Sequence, residues 1–219
     1  MKDRGIPVIA TIHNFRMMCA NAVFFRDGAP CTDCLGKRPW RAVAHRCYRN
    51  SAAQSLFAAG TLALHQSLNT WENGIDRFVV ATRFVRDLLI EAGFPGDRMR
   101  LVPPLVPDAG PRLRAPSQSN AVVYLGRVAE GKGLEILFDA WRRVPPPLEL
   151  EIIGDGPMRR QLEALEIPRI RFLGWQDRRK VDEILRSSRA MVFPSAYYET
   201  LGLGLAEAMA AGLPIIAGA

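Results

Sequence analysis

Long apolar runs are missing from this chain. None of its hydrophobic stretches approaches the roughly 20 residues that a membrane-spanning helix needs. The longest candidate, Ser55 to Leu68, is interrupted by Gly60 and His65 and reads as a packed helix. The opening MKDRGIPVIATIHNF has no long apolar core and no small-residue cleavage site, so secretory export is not expected and a reducing cytoplasmic setting is. Also lacking are a Ser-His-Asp pattern, a Walker-type phosphate loop, an internal repeat and any low-complexity tract. No aromatic-interleaved basic motif or recognised nucleic-acid module occurs, which argues against a nucleic-acid partner.

What is present is the composition of a globular chain, with 48% hydrophobic and 23% charged residues over 219 positions. The net charge of +7 is unevenly divided: residues 1–110 carry 14 Lys/Arg against 9 Asp/Glu, and the remainder 15 against 13. A basic first half suits an anionic partner, either a phosphate-bearing substrate or a membrane surface touched peripherally on its inner face; a merely solvated basic surface is the plainer alternative.

The second half alternates short apolar runs with helical spacings. Strands are expected at Ala121–Leu125, Leu148–Ile153, Ile170–Leu173, Ala190–Phe193 and Pro214–Ala217. Helices are expected at Gly133–Trp141, Met158–Leu165, Lys180–Arg186 and Leu203–Ala210. That alternation predicts an α/β fold with a parallel sheet covered on both faces. Ligands of such sheets bind at the carboxyl ends of the strands, where Gly126-Arg127, Gly154-Asp155-Gly156, Gly174-Trp175 and Ser195–Gly204 fall. The first half is less regular: a strand over Pro7–Ile12 ending at His13, a Cys- and Gly-bearing loop, helical material from about Trp40 to Leu68, a strand at Phe78–Ala81 and a helix at Thr82–Ala92 ended by Gly93. Five prolines between Val102 and Ala121 read as an interdomain linker. The expected domains are 1–105, a linker at 106–120, and 121–219.

Three segments carry chemistry. Gly126-Arg127 closes a strand, and Lys132 follows within a turn, just before a helix; two cations beside a helix start suit a diphosphate whose charge grows as its bond to a sugar breaks. Gly154 and Gly156 would let backbone approach a ligand closely. In PSAYYETLGLGLAEAMAAGLPIIAG, Glu199 and Glu207 stand eight positions apart around the glycines Gly202 and Gly204. Amides at the following helix start lack intrahelical partners and can take an anion. Glu207 sits among Leu203, Leu205, Ala206, Ala208 and Met209, where a carboxylate needs a partner; a ribose diol would supply one.

These motifs together resemble the GT-B glycosyltransferases of family 4, which retain anomeric configuration and use nucleotide sugars. The likeness runs over the E-x7-E segment, the G-R-(x)4-K-G element at 126–133, the glycine turn Ile152–Pro157, Phe172-Leu173-Gly174-Trp175, and Thr11-Ile12-His13-Asn14. It implies two Rossmann-like parallel-sheet domains, the N-terminal one incomplete. It further implies that Arg127 and Lys132 clamp the donor diphosphate, that Glu199 contacts the hexose and Glu207 the ribose, and that amides near Gly202 and Leu203 meet the phosphates. Ser195 completes the donor half, and Trp175 either covers the base or packs. His13 would hold the sugar and shape the site. The implied reaction moves a hexose from a UDP-, GDP- or ADP-sugar to a hydroxyl on a glycan or lipid-linked acceptor, in polysaccharide, glycolipid or cell-envelope synthesis. No Asp-x-Asp occurs, so cations and helix amides stand in for an active-site metal, and no catalytic cofactor is expected.

Four cysteines lie at Cys19, Cys31, Cys34 and Cys47. Cys31-Thr32-Asp33-Cys34 has the spacing of a zinc-ligand pair; a structural zinc, unligated thiols and a disulfide or redox pair all remain open. Against the family's usual length, Met1 stands a dozen residues ahead of His13 and Ala219 precedes the usual last βα units. The expectation is an internal piece of a transferase, or a fragment that binds nucleotide sugar without turnover; a zinc-stabilised interaction module is the third reading.

Overall fold

The computed structural model describes residues 5–218. They form two compact units, one running to Pro104 and joined by Tyr197–Leu201, the other comprising Leu105–Ala196 and the residues from Gly202.

The first unit is built on three parallel strands, β1 (Ile9–Thr11), β4 (Arg77–Val80) and β5 (Met99–Leu101), in the order β1-β4-β5. Alternation along β4 decides its packing. Phe78 and Val80 are fully buried, whereas Arg77 is exposed, as a strand with one face on a core requires. Against them lies α4 (Arg83–Glu91), whose Val85, Leu88 and Leu89 join Ile12, Phe15, Phe24 and Phe94 in one core. Thr82 caps α4 by accepting from the Val85 amide at 3.2 Å. Gly93, at φ +96°, ends it as the sequence predicts.

Three strands were not foreseen. β5 carries Arg100 at its centre and lacks an apolar run. The hairpin β2 (Phe25–Arg26) and β3 (Ala29–Pro30) turns through Asp27-Gly28, both at positive φ; Asp-Gly is the dipeptide such a turn favours.

The helical material expected from Trp40 to Leu68 is broken. α1 (Arg41–Ala44) stops before Arg46, Arg49 and Asn50, which all take positive φ, and Ser51 then caps α2 (Ala52–Ser67). Nor is α2 a fully packed helix. Ser55, Ala59, Leu62 and Ala63 are buried, while Leu56, Phe57 and Leu64 stand open on the opposite face. Its apolar residues lie all round, so spacing alone could not orient it. His65 rests on Trp71 of α3 (Thr70–Gly74), with ring centroids 4.7 Å apart.

The second unit has five parallel strands, β6 (Ala121–Leu125), β7 (Glu149–Ile153), β8 (Ile170–Gly174), β9 (Ala190–Phe193) and β10 (Ile215–Ala217), ordered β10-β9-β6-β7-β8. Successive residues serve opposite layers. Val122, Tyr124, Leu150 and Ile152 pack with Leu134, Phe138 and Trp141 of α5 (Leu134–Trp141) and with Leu162 of α6 (Arg159–Glu163). Val123, Ile153 and Met191 pack with Val181 and Leu185 of α7 (Arg178–Ser187) and with Ala208 of α8 (Leu203–Ala210). The result is the α/β architecture that the alternation predicts, with its strands within a residue or two of expectation.

Residues 106–120, expected as a linker, are packed into this unit. Ala109 is buried, and the Arg112 guanidinium donates to the carbonyls of Leu185, Ser188 and Ala211. Proline-rich composition gave the segment its extended course; one arginine satisfying three helix-end carbonyls fixes it there.

Candidate functional site

The strand order of the second unit reverses at β6. The chain runs outward through β7 and β8, then returns to place β9 on the other side of β6. Such a reversal opens a crevice at the carboxyl ends of the two strands. The loop Gly126–Gly133 leaves β6 there, and Pro194-Ser195 leaves β9. Gly154–Gly156 follows β7, and Trp175 follows β8. The donor-side segments singled out in this unit therefore share one edge of one sheet.

Their glycines are required by the protein's own backbone. A Cβ on Gly133 would lie 1.9 Å from the Pro194 carbonyl oxygen, one on Gly154 2.0 Å from that of Gly126, and one on Gly156 2.2 Å from that of Val128. The turns thus cross one another too closely for any side chain. The crossings require glycine at Gly154 and Gly156 independently of any ligand's approach. Hydrogen bonds lock the crossings: the Ala196 amide to Gly131 O at 2.8 Å, Val128 to Asp155 O at 3.0 Å, and Gly154 to Gly174 O at 2.8 Å. Asp155 accepts from the Gly156 amide at 2.7 Å and from Arg159 at 3.1 Å; the amide foremost, then Arg159, hold its carboxyl below the usual range.

Helix α8 is seated by the same device. A Cβ on Gly204 would lie 2.7 Å from the Leu125 carbonyl, so the helix start abuts the end of β6. Gly202 caps it at φ +71° and offers no side chain to its first amides. An uncapped helix start beside a strand end is a site for anionic oxygen. On the adjoining loop Arg127 is exposed and makes no ion pair among the described residues, while the buried Tyr124 hydroxyl donates to the Arg127 carbonyl at 2.8 Å and steadies its backbone. Lys132 is half-buried on that loop.

Glu207 occupies the second turn of α8 with its side chain 14% exposed. Its partner is Arg178 of α7, whose Nη1 lies 2.5 Å from Glu207 Oε1 and whose Nε contacts Asp182. The carboxylate therefore has a cation where the sequence left a place for ribose alone. Burial raises the Glu207 pKa above the ordinary carboxylate range, Asp182 adds to the rise, and Arg178 opposes it. Arg178 was missed because it is 29 positions from Glu207 and stands in the basic run Arg178-Arg179-Lys180, which singles out no member. Trp175 is 76% exposed, so the packing alternative for it is set aside and its ring faces solvent at the end of β8.

The remaining site residues belong to the first unit. His13 follows β1, exposed, and its carbonyl accepts from Thr200 Oγ1 at 3.3 Å. Thr82 Oγ1 donates to the Thr200 carbonyl at 3.1 Å, and the Tyr198 ring packs on Phe24 and Phe84. The segment that carries Glu199 is thereby tied beside the His13 backbone.

Cys19, Cys31, Cys34 and Cys47 are all free thiols lining one cavity of about 20 Å³ in the first unit. Among the described residues, no three His, Cys, Asp or Glu side chains are grouped so as to hold a metal ion. Burial, followed by the neighbouring thiols, pushes Cys34 up to about 11.

Comparison with known proteins follows the same division. Residues 119–219 match the family described as Glycosyl transferases group 1. Sulfoquinovosyl transferase SQD2 of Arabidopsis thaliana is 30% identical over 166 residues, 75% of this chain and 28% of that protein. The lipopolysaccharide core biosynthesis glycosyltransferase LpsD of Rhizobium meliloti is 36% identical over 137 residues, 60% of this chain and 37% of that protein. The chain thus spans about a third of the length of these curated relatives. Among solved structures, Anabaena Alr3699/HepE in complex with UDP matches 99% of this chain and 54% of its own, with a TM-score of 0.60 at 16% identity. A sucrose-phosphate synthase from Thermosynechococcus elongatus matches 83% and 48%, with 0.59 at 23%. Residues 119–219 are thus similar to the glycosyl transferases group 1 family, and the chain has the α/β fold of GT-B glycosyltransferases.

Proposed function

We propose that this chain takes part in transfer of a hexose from a nucleoside diphosphate sugar to a hydroxyl acceptor, with retention of configuration, in polysaccharide, glycolipid or cell-envelope synthesis. One observation carries the reading. The uncapped start of α8 abuts the end of β6, on the same sheet edge as the loop bearing Arg127 and Lys132. Helix amides and two cations on one sheet edge suit a pyrophosphate that gains charge as the sugar leaves.

The residues then take these roles. Arg127 and Lys132 hold the diphosphate, and the Leu203 amide with Gly202 contributes neutral donors. Glu207, oriented by Arg178, accepts from the ribose hydroxyls. Trp175 covers the base. Gly126, Gly154 and Gly156 shape the backbone, and Ser195 stands where β9 delivers the chain to the edge. By the family resemblance, Glu199 contacts the hexose and His13 holds it. Relatives named as a sulfoquinovosyl transferase, a lipopolysaccharide core biosynthesis glycosyltransferase and a phosphatidyl-myo-inositol mannosyltransferase support the class of reaction.

The test is calorimetric titration of the purified chain with UDP-, GDP- and ADP-sugars, repeated with Lys132→Ala and Glu207→Ala. Saturable binding of one donor, weakened by both substitutions, is the expected result and identifies the base. Binding without turnover over a panel of hydroxyl acceptors would reduce the reading to a donor-binding module. A folded chain that binds none of the three would end the proposal for this polypeptide.

A further inference from the structure

The first unit holds a cavity of about 570 Å³ that the donor reading does not use. Its volume falls within the range of small-molecule sites, about 300–1,000 Å³. Trp71 and Glu72 of α3 line it, together with Lys37, Arg38 and Gln66, and Met17, Met18 and Phe94 supply an apolar wall. Trp71 and Glu72 precede β4, and Phe94 precedes β5, so these walls stand at the amino ends of the strands. His13 follows β1, at the opposite, carboxyl end.

Two polar atoms of these residues are left over. Trp71 Nε1 and Glu72 Oε2 are buried, and neither has a hydrogen-bond partner among the described residues. Unpaired buried polar groups are costly and call for an explanation. The residues that carry them line the cavity, so a small ligand there is the nearest source of partners. The walls are held independently of any such ligand. Arg98 Nη1 donates to the Glu72 carbonyl at 2.6 Å, the Trp71 ring packs on His65 at 4.7 Å, and Arg38 Nη1 donates to the Ala63 carbonyl at 3.0 Å. Gly36 lies so near the end of α4 that a Cβ there would stand 3.3 Å from the Glu91 carbonyl. A cavity fixed in this way loses little to ordering when it binds.

We infer that this cavity binds a neutral, hydroxyl-rich ligand, namely a saccharide unit. The leftover groups are one donor and one acceptor, and a sugar hydroxyl supplies both functions: it accepts from an indole N–H and donates to a carboxylate. The Gln66 amide adds one group of each kind, and Lys37 adds donors. Met17, Met18 and Phe94 suit the C–H face of a pyranose ring. Charge argues against the other ligand classes, because Glu72 opposes an anion while Lys37 and Arg38 oppose a cation. The inference does not rest on the donor reading, since none of these residues lies on the donor edge.

Titration of the isotope-labelled chain with glucose, galactose, mannose and N-acetylglucosamine, followed by NMR, tests it. The Trp71 indole N–H resonance, assigned by its loss in Trp71→Phe, should shift saturably with at least one of these sugars. Sodium phosphate and tetramethylammonium chloride should leave it in place. Glu72→Ala should weaken the sugar by about fivefold. The same variant should melt no earlier than the parent, because Glu72 Oε2 has no hydrogen bond to give up. Its affinity for nucleotide sugar should also be unchanged, which keeps a failure here distinct from a failure of the donor site. No shift with any of the four sugars would overturn the inference and leave the cavity to water. So would a shift with phosphate or tetramethylammonium alone, or a Glu72→Ala chain that melts early and binds the sugar as the parent does.

Discussion

Arg178 Nη1 stands 2.5 Å from Glu207 Oε1, a contact between α7 and α8 that ties the carboxylate of the E-x7-E segment to a cation before any ligand arrives. The pair is half-open, with Arg178 41% and Glu207 14% exposed, so solvent screens it and its coupling is modest. Arg178→Ala should lower stability by about 1 kcal/mol in urea unfolding. A double-mutant cycle with Glu207→Gln should show coupling; strict additivity would mean that the contact does nothing for stability.

Donor affinity should depend on pH through the same carboxylate. Burial holds the Glu207 pKa above its ordinary value, so as pH falls it takes up its proton earlier than an unperturbed glutamate near about 4.3. Affinity should therefore be full at neutral pH and decline before that point is reached. The Glu207→Gln variant should bind more weakly and lose this segment of the profile; an unchanged profile would assign the titration elsewhere.

The glycine crossings predict sharply different outcomes for one kind of substitution. Gly154→Ala puts a methyl 2.0 Å from a carbonyl at φ +125°, and Gly156→Ala puts one at 2.2 Å. Each should cost roughly 2–3 kcal/mol or prevent folding. Gly60→Ala, inside α2 with nothing within 4 Å, should instead raise stability by roughly 0.5–1 kcal/mol. Denaturation midpoints of the three variants decide the matter.

Trp175 should report base binding directly. At 76% exposure it bears little on stability, and Trp175→Ala should leave the melting curve nearly unchanged. Nucleotide should quench the emission of the parent chain and not that of the variant, with affinity falling several-fold. Quenching that persists in Trp175→Ala would move the base elsewhere.

The thiol cluster gives a prediction at high pH. Cys34 is held up to about 11, chiefly by burial, so the folded chain keeps a proton that the unfolded chain releases. That stability is fully present below the ordinary thiol range and is lost as pH climbs toward the folded value. Alkylation of Cys34 at pH 9 should accordingly lag that of a free thiol. Four free thiols also predict four equivalents of Ellman reactivity in denaturant without reductant. One equivalent of zinc freed on unfolding would support the structural-metal reading.

Much of the second unit was legible in the sequence because each strand there is an apolar run closed by glycine or proline, and each helix shows one buried face. Ala121–Leu125 and Ala190–Phe193 match their strands end to end. Met99–Leu101 did not declare itself, since Arg100 interrupts it. The hairpin at Asp27-Gly28 carried a turn signal without flanking apolar alternation. The carboxyl-edge location of the turns followed from topology alone. The reason for their glycines did not, because a backbone crossing between loops distant in the chain leaves no local pattern. Arg178 was invisible for the same reason: its partner is fixed by the packing of two helices, not by spacing.

The crossings at Gly133, Gly154 and Gly156 also bear on how this chain can evolve. Each such position admits a single residue type, so substitution along that edge is confined to side chains that project beyond the turns, among them Arg127, Trp175 and Arg178. Divergence in nucleotide preference among descendants would be expected at those projecting positions, on an inherited and unaltered backbone.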